Sequence, residues 1–255
     1  MKTILHLLAA AVLLISITSA PAHTMGDDST MMKMMKPTHE FGYISPGMSW
    51  INFGSLNNYL VSLPPGYSHF QEQAWTLALG NYKDWDRFVM ESHILARIMG
   101  DNLNGNLRTS MGFVEIVGDA GFNVLPPAMP VDLYPYLGLG GGLACMNFRN
   151  NLTTLPALLL STEPNAMLWQ ATPLFDIGIG SNYLLGNKDG TMGFAFGLRI
   201  GYLVDLHLNK RWYSGQIGIS GLPSINENGA YIRLTIGGWG KHHHHHDMMM
   251  EEQEK

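Results

Sequence analysis

The sequence is poor in the features that hold most proteins of its size together. It carries one cysteine, Cys145, in 255 residues, which excludes an intrachain disulfide. Charged residues make up 14%, well below the usual share of about a quarter. The formal net charge of -5 gives no electrostatic case for nucleic acid as a partner. Past the N-terminal segment, no apolar run reaches the roughly 18 residues that a membrane-spanning helix needs. A disulfide scaffold, a nucleic-acid binder and a bundle of membrane helices are thereby set aside.

What is present is glycine, 29 residues of it, and methionine, 17 residues, together with a period-two pattern. The pattern is clearest from Thr191 to His207. One alternate set is Met192, Phe194, Phe196, Leu198, Ile200, Tyr202, Val204 and Leu206. The other is Gly193, Ala195, Gly197, Arg199, Gly201, Leu203, Asp205 and His207. Strict alternation denotes a β-strand with two unlike faces. A soluble sandwich strand turns Ser, Thr, Lys or Glu to water; here the face opposite the large apolar residues is glycine with isolated charges. That suits a narrow lumen better, and the run exceeds the about 9–11 residues of a transmembrane strand. An inner strand of a soluble sandwich is the competing reading.

The N-terminus reads as a secretory signal peptide over residues 1–22. Lys2 opens it, an apolar run from Ile4 to Ile17 follows, and Ala20-Pro21-Ala22 supplies a small-x-small cleavage site. An uncleaved anchor helix is the alternative. Residues 23–40 form a polar arm without periodicity, expected to be disordered. The barrel domain is expected at 41–240, and a second disordered arm at 241–255.

Between the arms we count about eight candidate strands, near 41–53, 73–82, 87–99, 108–124, 131–146, 173–185, 191–207 and 230–240. The connections alternate in length. Short ones lie at 83–86, 125–130 and 186–190; long ones at 54–72, 100–107, 147–172 and 208–229. Outer-membrane barrels show this asymmetry, with short periplasmic turns and long external loops. The fold expected is all-β, a transmembrane antiparallel up-and-down β-barrel with both termini periplasmic. The apolar loop stretch from Leu155 to Trp169 is expected on the membrane surface or over the barrel mouth.

The strands as counted resemble the small eight-stranded bacterial outer membrane barrels of OmpA and OmpX type. The resemblance covers about 41–240 and rests on architecture, not on a diagnostic motif. It implies a location in the bacterial outer membrane, contact with outer membrane lipids and handling by the barrel-assembly machinery. That machinery usually reads a terminal aromatic residue, a part Trp239 could play, although a tail follows it. Trp239 is out of phase with Ile232, Leu234 and Ile236, so either a bulge lies near Gly237-Gly238 or the signal is not standard.

An eight-stranded barrel has an interior that side chains just fill, so an open pore is not expected. The alternation aims Glu91, His93, Arg97, Glu115, Asp119, Asp132, Asp176, Arg199, Asp205, His207 and Arg233 inward. The acids outnumber the arginines, and a lone buried charge costs several kcal/mol, so a paired polar network is expected. The leading expectation is therefore a structural or interaction barrel without catalytic residues.

Two other readings stay open. The arms concentrate soft and imidazole ligands: His23, Met31, Met32, Met34, Met35 and His39 at one end, and His242, His243, His244, His245, His246, Met248, Met249 and Met250 at the other. Thioethers suit Cu(I), while imidazole suits Cu(II), Ni and Zn, so copper, nickel or zinc handling by periplasmic arms is the first alternative. An expression tag, low-complexity drift, or flexible contacts to a periplasmic protein would explain the same residues. The second alternative is a lipid-modifying barrel enzyme, with His207, Asp205 and a serine such as Ser214 as the minimum kit for acyl transfer.

Overall fold

The computed structural model describes residues 39–240, apart from 64–66, 105–106, 127–128, 151–165, 187–191 and 207–210. The signal peptide and nearly all of both Met/His arms lie outside the described residues, as does His207. In chain order the elements are β1 (His39–Trp50), α1 (Gly54–Ser62), β2 (Gln73–Trp85), β3 (Phe88–Ile98), β4 (Asn102–Asn104), β5 (Leu107–Phe122), β6 (Val131–Asn150), β7 (Ala166–Gly186), β8 (Met192–Asp205), β9 (Trp212–Ser214), β10 (Ile217–Ile219) and β11 (Gly229–Gly240).

The eight long strands pair antiparallel with their neighbours in the chain. The sheet closes where β1 meets β11 through Gly42↔Gly238 to Ser49↔Tyr231. Closure leaves these strands no open edge, the condition for burying backbone polar groups in hydrocarbon. Among the described residues no helix is long and apolar enough to cross a membrane.

The barrel is apolar outside and polar inside. Phe194, Leu139, Leu234, Ile116 and Ile200 are all exposed on its outer face. Arg97, Arg199, Arg233, Glu115 and Asp176 are at most 1% exposed within it. In water so continuous an apolar exterior would aggregate; in lipid it is the required surface. Outward-facing Glu40 and Lys83, paired at 2.8 Å, mark where that surface ends on the side of the short turns.

Inward glycines make room for the large inward side chains. A Cβ on Gly178 would strike the Tyr136 ring, one on Gly180 the Tyr134 ring, and one on Gly193 the Trp239 indole. The glycine rows of β6, β7 and β8 are thus seats into which neighbouring side chains lean. At Asp86, in the two-residue turn between Trp85 and Phe88, φ is 61°, a left-handed value that Asp tolerates.

The structure departs from the sequence reading in several places. The 54–72 connection holds α1, a nine-residue helix. A helix this short is marginal by itself, and tertiary packing of Leu56, Asn57 and Leu60 holds it. Strands β6 and β7 run to Asn150 and from Ala166, so much of the expected 147–172 loop is ladder. The inward series Leu168, Gln170, Thr172 and Leu174 mixes polar and apolar side chains, which erases the hydrophobic period. The 208–229 connection holds the small β9–β10 pair. No bulge interrupts β11: Gly237↔Ala195, Gly238↔Phe194 and Trp239↔Gly193 continue its ladder with β8. Trp239 therefore continues the inward series of Tyr231, Arg233, Thr235 and Gly237.

Candidate functional site: the filled interior of the barrel

Three layers fill the lumen. At the loop end sits an apolar cap of Ile51, Phe53, Leu56, Leu60, Phe70, Met99, Met111, Phe113, Met146, Leu168, Trp212 and Ile225. The cap is drawn from α1, the strand ends and the 212–225 connection. Of the 155–169 stretch expected at the mouth, residues 155–165 lie outside the described residues and 166–169 form the start of β7. Polar clips hold the cap in place. Asn57 donates from Nδ2 to the Phe70 carbonyl at 3.0 Å and accepts from the Phe70 N–H at 2.7 Å. Trp212 Nε1 donates to the Pro223 carbonyl at 2.8 Å, and the Ile225 N–H donates to Gln170 Oε1 at 3.3 Å.

At the short-turn end sits an aromatic layer of Phe41, Tyr43, Tyr82, Tyr134 and Tyr136, with Trp239 packed against it. Phe41 stacks on Tyr82 with centroids 4.6 Å apart. At the rim of this layer, beyond the lipid-facing band, His39 Nδ1 lies 3.0 Å from Asp84 Oδ2. That hydrogen bond to the carboxylate raises the imidazole above its ordinary value, against an opposing effect of partial burial. His39, expected as an arm ligand, is thus a strand residue engaged by Asp84.

Between these layers lie most of the charges, with Asp132 at the short-turn rim near His39 and Asp84. Arg97 Nη2 is 2.6 Å from Glu115 Oε1. Arg199 is bound to Glu91, which also accepts from Tyr134 Oη at 2.7 Å. The Arg199 guanidinium lies 4.3 Å from the centre of the Tyr43 ring, and that of Arg233 4.3 Å from the Tyr231 ring. Asp132 accepts from Tyr82 Oη at 2.8 Å and Asn123 Nδ2 at 2.7 Å. His93 Nδ1 lies 3.3 Å from Asp119 Oδ2. Asp176 accepts from Tyr231 Oη at 2.8 and 2.9 Å, and Tyr231 is hydrogen-bonded to Tyr136. The structure therefore brings Glu91, His93, Arg97, Glu115, Asp119, Asp132, Asp176, Arg199 and Arg233 into one interior.

The sequence reading missed three contributors. The tyrosine hydroxyls carry much of the network, and their signal was their place on the charged face of each strand. Asp84 continues the inward series of Ala74, Thr76, Ala78 and Tyr82 once β2 is extended. Glu227 lies in the connection ahead of β11 and is fully buried at the loop-side edge of the charged layer. Burial, with Glu115 and Asp205 nearby, pushes its carboxyl up to about 8; no periodicity could have flagged it. Asp205, considered as a partner for His207, which lies outside the described residues, accepts from the Glu227 N–H at 3.4 Å. Its own N–H donates to Asn228 Oδ1 at 2.5 Å, which ties β8 to the connection. Ser214 ends β9 in the small β9–β10 pair.

The closed eight-stranded ring, its apolar exterior and its charged interior decide the architecture. The fold is that of a small outer membrane β-barrel. No family model matches the sequence, and no curated protein matches it. Solved structures similar to the chain include Neisserial surface protein A, at 10% identity and a TM-score of 0.40, covering 78% of this chain and 94% of that one. Ail, the attachment invasion locus protein of Yersinia pestis, solved in complex with the heparin analogue sucrose octasulfate, is similar at 12% identity. Its TM-score is 0.43, with 78% and 97% covered. A major outer membrane protein from Thermus thermophilus is similar at 11% identity and a TM-score of 0.42, also with 78% and 97% covered.

Proposed function

We propose that the protein is a closed, non-conducting barrel of the bacterial outer membrane, serving as a rigid structural or interaction scaffold rather than as a pore or an enzyme. The observation that carries this is the filled lumen: apolar cap, charged layer and aromatic layer succeed one another from mouth to mouth. The short-turn end faces the periplasm in this reading, as short turns do in outer-membrane barrels. Both termini then hang in the periplasm, and α1 and the β9–β10 pair face outward as the surface offered to partners. The test is conductance of the purified full chain in planar bilayers. The expected record shows no steady unitary steps, and reproducible steps would overturn the reading. An outer-membrane fraction whose gel mobility shifts on boiling would support the location and the closed barrel together.

A second reading rests on composition. The arms, with His242 to His246, Met248 to Met250, His23, Met31, Met32, Met34 and Met35, carry the ligands that copper, nickel or zinc would need. Calorimetric titration with each metal, comparing the full chain with one in which these residues are replaced by Gln and Leu, tests it. Equal heats in the two chains would sink it.

A further inference from the structure

The charge balance of the interior is lopsided. The described residues bury eight carboxylates: Asp84, Glu91, Glu115, Asp119, Asp132, Asp176, Asp205 and Glu227. They bury three arginines, Arg97, Arg199 and Arg233. Arg97 and Arg199 are committed to Glu115 and Glu91. Asp84 has His39, and Asp132 has two hydrogen-bond donors. The two carboxylates of Asp119 and Asp176 come together beside His93, and each of these three residues can bring one ligand atom to within 4.8 Å of the other two.

Two atoms of this group make no hydrogen bond although they are sealed from solvent: Asp119 Oδ1, and His93 Nδ1, which faces Asp119 Oδ2 at 3.3 Å without hydrogen-bond alignment. His93 and Asp119 are each 3% exposed, and a buried polar atom left unmade costs about 1–3 kcal/mol. Room for Asp119 is kept by Gly138 across the β5–β6 ladder, where any Cβ would strike Asp119 Oδ1. Asp176 is steadied by the Tyr231 hydroxyl, the kind of outer partner that orients a ligating carboxylate. Arg233 lies over the Tyr231 ring, and its Nε, Nη1 and Nη2 make no hydrogen bond.

We propose that His93, Asp119 and Asp176 form an internal binding site for a divalent transition-metal ion, zinc being the best match. One imidazole and two carboxylates are a borderline-hard donor set suited to Zn. Bonds of about 2.0–2.2 Å put tetrahedral donors roughly 3.3–3.6 Å apart. His93 Nδ1 and Asp119 Oδ2 already stand 3.3 Å apart, and the rest of the group, within 4.8 Å, would close on the ion, with a water as the fourth ligand. The ion would lie among the three side chains and offset the carboxylate excess. The apolar cap lies on one side of the site and the aromatic layer on the other, so the ion is captured as the barrel closes. This site is separate from the Met/His arms and shares no ligand with them.

The experiment uses the full-length chain with His242 to His246 replaced by Gln, so that the tail does not compete. The chain is refolded into detergent with and without zinc chloride and stripped with a chelator. Zinc per folded chain is then measured by elemental analysis, with the folded fraction read from the mobility shift on boiling. About one chelator-resistant zinc per folded chain is expected, falling to background in His93→Gln and in Asp119→Asn. No retained zinc in the parent, or equal retention in the variants, overturns the site. Should a variant fail to fold, the parent loaded with Co(II) decides. The visible absorption of a four-coordinate nitrogen–oxygen site supports the proposal, and a weak six-coordinate spectrum overturns it.

Discussion

The loop-end cap and the charged layer beneath it fill the same tube by opposite means. The cap is a miniature soluble core: Leu56, Leu60, Phe70 and Trp212 come from connections and pack against strand ends. Its stability comes from apolar area removed from water, at about 25 cal/mol per Å², and it tolerates changes that keep volume. The charged layer is made almost wholly of strand residues, and its ion pairs, Arg97 with Glu115 and Arg199 with Glu91, are held because each charge faces the other. Removing an apolar side chain leaves a hole; removing one partner of Arg97 and Glu115 leaves an uncompensated charge at 0% side-chain exposure. Connections can therefore plug a barrel cheaply, whereas charges inside it must be placed in matched sets.

The largest effect should come from breaking a matched set. Arg97→Ala is expected to cost about 3–5 kcal/mol, as for a buried pair stripped of one partner, read from the denaturant midpoint of tryptophan fluorescence. Arg97→Met together with Glu115→Gln should recover much of that loss; equal losses in the single and double variants would show that the pair is not the unit.

Leu60→Ala in the cap should cost about 2–5 kcal/mol. Its mark should be local, with faster proteolysis in the 54–72 connection while the boiled-against-unboiled gel shift persists. Simultaneous loss of that shift would mean that cap and barrel unfold as one unit.

Gly193→Ala tests the seats. Its methyl would enter the Trp239 indole, and overpacking of this kind costs about 1–3 kcal/mol. Pairing it with Trp239→Leu should relieve most of the loss.

Smaller effects should follow pH. Glu227 is raised in the folded chain from its ordinary 4.5 to about 8, so folding favours its protonated form. Its contribution is complete below about pH 4.5 and is lost as pH rises through 8, on the order of 1 kcal/mol for each unit traversed. The thermal midpoint should fall across that window and flatten in Glu227→Gln; parallel slopes in the two chains would count against this placement of Glu227. His39, raised by Asp84, likewise stabilises fully below its ordinary 6.5 and loses the benefit as pH passes its folded value. At this partly exposed rim the effect is a few tenths of a kcal/mol, removed in His39→Asn.

Comparing these layers shows which parts could be read from the chain. Strand number, the outer and inner phases and the alternation of short and long connections were legible, because a strand's two faces repeat every two residues and the solvents on the two faces differ. The phase of Phe194 against Arg199 needs no knowledge of any other strand. The helix α1 was hidden because nine residues with apolar contacts at Leu56 and Leu60 carry little periodic signal. The extension of β7 was hidden because Gln170 and Thr172 alternate with Leu168 and Leu174 on one inward face.

Sequence alone determined which residues meet lipid and which turn inward, since that choice is local and set by side-chain polarity at period two. Tertiary structure decided who meets whom across the lumen. Glu91 and Arg199 stand 108 positions apart, and Tyr136 and Tyr231 stand 95 apart. His93, Asp119 and Asp176 come from three different strands. Nothing in the local pattern records the stagger of one strand against another around a closed ring. That stagger, set by closure and by the glycine seats, places each inward side chain at its height in the barrel.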